Sequence, residues 1–394
     1  MKILIINSGS SSIKFQIINM PTKVVICKGM VERIGLHDAQ ISLKFDGHSI
    51  SDKLPIPNHE VALDKMTAFL TDNKLAIINN TDAIDAVAHR VVHGGNRFDK
   101  PILIDKEAIA EIERLASLAP LHNPANVKGI KVSMSIFKKA RQVAVFDTAF
   151  HQTLPEKSYR YAIPRSLADQ HHIRVYGFHG TSHKYVTQKA IDYLKAKSSK
   201  IISIHLGNGC SITAVKDGES IDHSLGFGPS NGLIMGTRSG DIDQSVIFYL
   251  MDDLGMTSKE VNQLLQKQSG LLGLTGRSDL REVQVGAEKG QEDCDLAIAM
   301  MAYRIKKFIG SYYSVLNGVD AIVFTAGIGE NSSLIREMVC KDMGALGLHL
   351  DTERNSVTSS DILEIQSDTS KIKILVIPTN EELEIAEQTY HLLN

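Results

Sequence analysis

One pattern occurs twice in this chain and constrains its fold more than any other feature. Residues 2–7 form a β-branched apolar run, Asn7-Ser-Gly-Ser-Ser-Ser12 a turn, and residues 13–18 a second apolar run. Near residue 200 the same order returns: a buried-type strand at 200–206, the turn Gly207-Asn-Gly-Cys-Ser211, and a strand at 212–216. Apolar runs bounded by Gly, Ser and Asn read as strand, turn, strand. Two copies predict an internal duplication.

Between and after the two hairpins the pattern alternates. Further strands are predicted at 24–31, 41–45, 83–92, 142–146, 321–325 and 372–377. Helices are predicted at 59–70, 106–116, 126–137, 294–316 and from Glu381 onward. This order predicts α/β layering, with helices over mixed sheets. At 394 residues the chain exceeds what one core usually supports, so two domains are expected. A hydrophobic fraction of 43% and a charged fraction of 22% read as an ordinary globular protein. The formal charge of −2 leaves no basic surplus for nucleic acid or an anionic membrane. No apolar stretch reaches membrane-spanning length, and the opening run is too brief for a secretory signal, so the expected compartment is the cytoplasm. Cys27, Cys210, Cys294 and Cys340 lie far apart without a C-x-x-C pair. They predict buried thiols rather than a disulfide frame or a zinc cage.

Three small-residue turns are expected to follow strands, at 7–12, 207–211 and 327–332. Glycine allows close backbone approach, and successive N–H groups in such turns make a nest for phosphate oxygens. Lys14 can bring a cation to the same anion. Any one of these alone reads as a tight turn; three after strands favour a nucleotide. No G-x-x-x-x-G-K-[ST] occurs, and Ser stands at the third glycine position after Gly327-Ile-Gly329, so neither a P-loop nor a dinucleotide fingerprint is present. A phosphate binder outside those classes points to the actin-like ATPase fold. The polar constellations add chemistry. Arg90 precedes Gly94-Gly95, Asp147 ends an apolar strand, His179 lies between Phe178 and Gly180, and Arg238 sits in Gly236-Thr-Arg-Ser-Gly-Asp241. Ligands of α/β sheets gather at strand C-termini, where Asp147 stands. His179 and His183 are four apart, but Gly180 and the lack of carboxylate or thiol neighbours argue against a metal pair.

The chain resembles the acetokinase family over essentially its full length. The matching blocks are Asn7–Lys14, His89-Arg-Val-Val-His-Gly-Gly95, Asp147-Thr-Ala-Phe-His-Gln152, Tyr176–His183, His205-Leu-Gly-Asn-Gly209, Met235–Asp241, Ala326–Asn331 and Pro378-Thr-Asn-Glu-Glu382. The resemblance implies a duplicated actin-like (ribonuclease H-like) α/β fold, two domains with five-stranded-type mixed sheets, working as a homodimer. It implies a first domain of residues 1–147 plus 383–394 and a second, nucleotide-binding domain of residues 148–382. It implies reversible, in-line transfer of the ATP γ-phosphate to acetate, giving acetyl phosphate and ADP, with Mg²⁺ (or Mn²⁺) as cofactor.

By the same resemblance Asn7 and Glu381 sit at the metal and Lys14 near the phosphates. His205, Leu206, Gly207, Asn208 and Gly209 line the nucleotide site, with Gly327, Ile328, Gly329, Glu330 and Asn331, and with Asp279, Leu280 and Arg281. Arg90 meets the acid's carboxylate, His179 and Arg238 the phosphoryl in transfer, and Asp147 is the catalytic acidic residue. Val92, Leu121, Phe178 and Pro229 surround the acid's methyl group. Two segments depart from the family pattern. Gly226-Phe-Gly-Pro-Ser-Asn-Gly232 lacks the family's threonine and glutamate, and Gly276-Arg-Ser-Asp-Leu-Arg281 is one residue short. The alternatives are a propionate or other short-chain acyl kinase on the same scaffold and, from another class, a non-catalytic actin-like ATP-binding module. A sugar kinase would need a carboxylate base rather than paired arginines.

Overall fold

The structure, a computed structural model, describes every residue except Ser10, Leu121 and Lys197. The chain forms two compact units, one of Met1–Ala149 with Asn380–Asn394, the other of Phe150–Thr379.

The first unit is built on an eight-stranded sheet. Its strands are β1 (Lys2–Ser8), β2 (Ile13–Asn19), β3 (Val24–Glu32), β4 (Gln40–Phe45), β5 (His48–Lys53), β6 (Ala86–Val91), β7 (Ile102–Leu103) and β8 (Arg141–Phe146). Their spatial order is β5-β4-β3-β2-β1-β6-β8-β7. β1, β2 and β3 pair antiparallel, and β1, β6 and β8 run parallel. The apolar run of β1 has no polar alternation because both sheet faces are covered. Leu4 and Ile6 pack with the helix His59–Leu70 on one face, while Ile3 and Ile5 pack with Ile385 and Ala386 of the C-terminal helix on the other.

The second unit repeats this plan. β9 (Lys200–Leu206), β10 (Cys210–Lys216), β11 (Glu219–His223), β12 (Ala321–Thr325), β13 (Leu363–Glu364) and β14 (Lys373–Val376) lie in the order β11-β10-β9-β12-β14-β13. Here too the first three strands pair antiparallel, and β9, β12 and β14 run parallel. A five-stranded core of one topology therefore occurs twice, which is the duplicated ribonuclease H-like, actin-type arrangement. It is not limited to five strands: β4, β5 and β7 extend the first sheet and β13 the second.

Two hairpins, one in each sheet, come from one turn chemistry. Asp46-Gly47 joins β4 to β5 and Asp217-Gly218 joins β10 to β11, and all four residues have positive φ. A two-residue Asp-Gly loop in that conformation matches strand twist and closes a tight hairpin. The third expected turn is different. Residues 326–331 form a short helix, Ala326–Asn331, that begins directly at the end of β12. All four cysteines are free and buried. Among the described residues no helix is long and apolar enough to cross a membrane.

Candidate active site

In the first unit the functional side chains gather at the C-terminal ends of β1, β6 and β8. Arg90, on β6, donates from Nε to Asp147 Oδ1 at 3.1 Å and from Nη2 to Asp147 Oδ2, a bidentate pair. Its Nη1 donates to Asn7 Oδ1 at 3.3 Å, and Glu381 Oε2 lies 3.7 Å from Nε. The Arg90 side chain is 18% exposed and that of Asp147 only 1%. Burial alone would weaken the guanidinium as a base, but Asp147 and Glu381 outweigh it and raise its pKa. Glu381 is pushed up to about 7, first by burial and then by the nearby charges of Asp147 and Glu382, against the pull of Arg90 and Lys14. Lys14 stands opposite Asn7 in the β1–β2 ladder. One arginine thus serves two carboxylates.

Two residues without a motif of their own hold this arrangement. Asn126 donates to the Ser8 carbonyl at 2.8 Å and accepts from the Val92 amide at 3.2 Å, tying the end of β1 to the end of β6. Buried His59 bonds the Gly9 carbonyl at 2.7 Å, bracing the first turn. Val92 is half-buried. Leu121 lies outside the described residues.

In the second unit His179 caps the helix Gly180–Leu194 in a left-handed conformation, φ 57°. The peptide before it is clamped. The Phe178 amide donates to His223 Nε2 at 3.1 Å, and its carbonyl accepts from His151 Nε2 at 3.0 Å. Gly177, φ 74°, is required there: a Cβ would lie 2.6 Å from the His151 ring. His179 Nδ1 bonds Ser211 Oγ at 2.9 Å, and its ring stacks on His205 at 4.3 Å. Arg238 donates from Nη1 to the Pro229 carbonyl at 3.1 Å, and burial lowers its pKa. Both side chains reach the turn after β9. A Cβ on Gly209 would sit 3.3 Å from His179 Nε2 and 3.6 Å from Arg238 Nη1.

Next to that turn the second unit contains a cavity of about 730 Å³. Of the expected nucleotide residues, Gly207, Asn208, Asp279, Leu280, Arg281, Gly327, Ile328 and Asn331 line it. His205, Leu206, Gly209, Gly329 and Glu330 do not. His205 instead bonds Ser182 at 2.8 Å. Glu330 accepts from the Thr379 amide at 3.0 Å, fixing the turn before the C-terminal helix. The short helix is held by buried Arg336, which donates to the Gly329 and Glu330 carbonyls at 2.9 Å each. Exposed Arg281 pairs with Asp279 and lowers that carboxyl to about 2. Leu271 and Gln284 also line the cavity; Leu271 stands in the helix Gly270–Thr275, and Gln284 stands beyond the Asp279-Leu-Arg281 segment on the helix Leu280–Glu288.

Comparison with known proteins agrees with this geometry. Residues 2–387 match the model of the acetokinase family. The chain is 58% identical to an acetate kinase of Flavobacterium johnsoniae over all of both chains. The crystal structure of Porphyromonas gingivalis acetate kinase is similar at a TM-score of 0.94 with 42% identity, all of both chains covered. A propionate kinase from Francisella tularensis is similar at 0.93 with 45% identity, covering 98% of each.

Proposed function

The chain belongs to the acetokinase family, and from that premise we propose that it transfers the γ-phosphate of ATP to acetate, reversibly and in line, giving acetyl phosphate and ADP. As a family member it is a phosphotransferase. The observation that carries the specific reading is the convergence of His179 Nε2 and Arg238 Nη1 on Gly209, in the turn that adjoins the cavity.

The chemistry asks for little proton transfer. Acetate is ionised at neutral pH, so the barrier is repulsion between anions and the charge on the phosphoryl oxygens in flight. Arg90 receives the acid's carboxylate, its fork held in orientation by Asp147 on two bonds. Asp147 acts as a positioning group, since deprotonating acetate has no use at this pH. His179 and Arg238 donate to the equatorial oxygens of the phosphoryl group, where fixed donors matter most in the transition state. The nucleotide lies in the cavity against Gly207, Asn208, residues 279–281, Gly327, Ile328 and Asn331.

Oxygen donors fit a magnesium ion, which is usually held by one or two carboxylates together with substrate phosphates. Asn7 and Glu381 would hold it, and Glu381, buried and beside the Asp147 charge, is the kind of carboxylate a cation would keep ionised. Such an ion would supply positive charge against the phosphate oxygens. Among the described residues no group of three His, Cys, Asp or Glu is arranged for a metal, so phosphates and water would complete the shell.

A homodimer is supported by the helix Gln244–Asp252, which buries none of its residues and exposes Val246, Phe248 and Tyr249. A cytoplasmic location fits four unpaired thiols and ATP as donor. A second reading, a propionate or short-chain acyl kinase, is favoured by one feature. Gly228 replaces the family's threonine, and a Cβ there would meet nothing within 4 Å.

ATP-dependent ADP release with acetate, propionate, butyrate and glycerol, with acyl hydroxamate trapping for the three acids, tests the proposal. We expect acetate to lead propionate in kcat/KM by roughly 10–200-fold, the range one methylene commands in a tight pocket. Val92→Ala should narrow that gap, mainly through the propionate KM. Equal values on the unmodified chain promote the second reading, and activity with glycerol alone overturns both.

A further inference from the structure

Behind His179 runs a file of hydrogen bonds that the transfer reaction, as described, does not use. Ser211 Oγ lies 2.9 Å from His179 Nδ1 and 2.7 Å from His183 Nε2, and His183 Nδ1 lies 2.8 Å from Ser203 Oγ. Ser203 is on β9, Ser211 on β10 and His183 on the helix that His179 caps. All three have no exposed surface.

His183 sits among other imidazoles, with ring centroids of His223 at 5.3 Å, His151 at 5.8 Å and His205 at 6.0 Å. Burial, then repulsion from His151 and His205, keeps it neutral, with a pKa well below the ordinary histidine value. A neutral imidazole has one N–H and one lone pair, and a serine hydroxyl has one proton to donate. Ser211 accepting from both rings would leave its own buried proton without a partner in the file, so the fully paired file runs in one of two directions. In one, Ser203 donates to His183 Nδ1, His183 Nε2 donates to Ser211, and Ser211 donates to His179 Nδ1. A neutral His179 then carries its proton on Nε2. In the reverse direction Ser211 gives its proton to His183, and His179 must donate from Nδ1. A neutral His179 would then present a bare lone pair at Nε2.

Only the first direction suits what Nε2 faces. That atom shares the Gly209 turn with the Arg238 guanidinium, so the group received there is an acceptor, and a lone pair would repel it. We propose that Ser203, His183 and Ser211 form a positioning relay that fixes His179 in the Nε2–H tautomer, ready to donate to a phosphoryl oxygen. The relay rests on the reading that His179 meets the transferring group. It explains why two buried hydroxyls flank a buried histidine that reaches no substrate. Sequence spacing offers only His183 four residues beyond His179, a pattern shared with metal pairs.

The test uses the full chain labelled with ¹⁵N-histidine. Long-range ¹H–¹⁵N correlations separate the two tautomers, and His179→Gln assigns the His179 signals. We expect His179 to be almost wholly the Nε2–H form. In Ser211→Ala, and in Ser203→Ala as a milder second variant, it should drift toward the mixture of free imidazole. In Ser211→Ala kcat should fall about tenfold, as for loss of orientation of a donor, with both KM values within twofold. Ser211→Thr, which keeps a hydroxyl, should recover both tautomer and rate. In a His179→Ala background neither serine substitution should lower kcat further, because the relay acts through that ring. An Nδ1–H tautomer in the unmodified chain overturns the proposal, as does full additivity in the His179→Ala background. Absence of acid-dependent phosphoryl transfer in the unmodified chain would refute the functional reading instead, and the tautomer measurement would still decide the relay.

Discussion

Asp147→Asn offers the sharpest probe of the first unit, because it removes one charge and keeps the shape. Asn retains an oxygen that can accept from Arg90 Nε, so the guanidinium should stay in place. What changes is Glu381. The Asp147 and Glu381 oxygens lie 3.1 and 3.7 Å from the same Arg90 nitrogen, which puts them at most about 7 Å apart. Two unit charges at about 6–7 Å and an effective dielectric near 20 repel by about 2–3 kcal/mol, or about 1.5–2 pKa units. Arg90, released from Asp147, adds attraction of the same sign. The Glu381 carboxyl, at about 7 in the unmodified chain, should therefore fall by about 2 units, to about 5.

The assay is a ¹³C titration of glutamate carboxyls in metal-free protein, with Glu381 assigned by its loss in Glu381→Gln. Thermal melting gives a second readout. The folded chain holds this proton more tightly than the unfolded chain does, so metal-free stability should decline as pH rises from the ordinary glutamate range to about 7. Asp147→Asn should flatten that decline. A Glu381 midpoint that stays put or rises would refute the shared-arginine picture.

Arg238→Ala should lower kcat by roughly 10²–10³ while leaving the KM for ATP within a fewfold, since it removes a donor to the phosphoryl in flight; near-normal turnover would remove that role. Gly209→Ala places a methyl 3.3 Å from His179 Nε2 and 3.6 Å from Arg238 Nη1, so turnover should drop with an unchanged melting temperature, and unaffected kinetics would argue that neither side chain works from that position. Gly29→Ala, in the interior of β3, would set a methyl 2.3 Å from the Phe15 ring and 2.5 Å from the Ser42 carbonyl. We expect a stability loss of roughly 1–3 kcal/mol by denaturant melting, as for overpacking, and a neutral result would mean the strand shifts more easily than its pairing on both sides implies.

What could be read from the sequence divides along one physical line. Strand–turn–strand repeats are local, and both copies lie where the residues predict them, because a covered strand must be apolar along its length. The Asp-Gly hairpins at 46–47 and 217–218 were equally local, and their turn chemistry would have revealed β5 and β11. The third small-residue segment misled for a local reason too: Gly-Ile-Gly-Glu-Asn reads as a loop by composition, yet buried Arg336 caps its carbonyls from another helix and stabilises a helical turn. The remaining features are non-local. The tie of Asn126 to Ser8 and Val92, and the His151–His223 clamp on Phe178, join residues 34 to 118 positions apart in one case and 27 and 45 in the other. No spacing rule reaches that far. Asp147 shows the difference most clearly. Its place at the end of β8 marked it as a ligand-side carboxylate, but its partner could not be read from the strand. Arg90 lies on the adjacent parallel strand, level with Val145 in the ladder, so register rather than motif brings the two charges together. Among the charged residues named from motifs, Arg90 and Asp147 therefore depend on sheet pairing for their geometry. His179 depends on its helix cap and on the buried file behind it, which is why substitutions far from any motif should alter its chemistry.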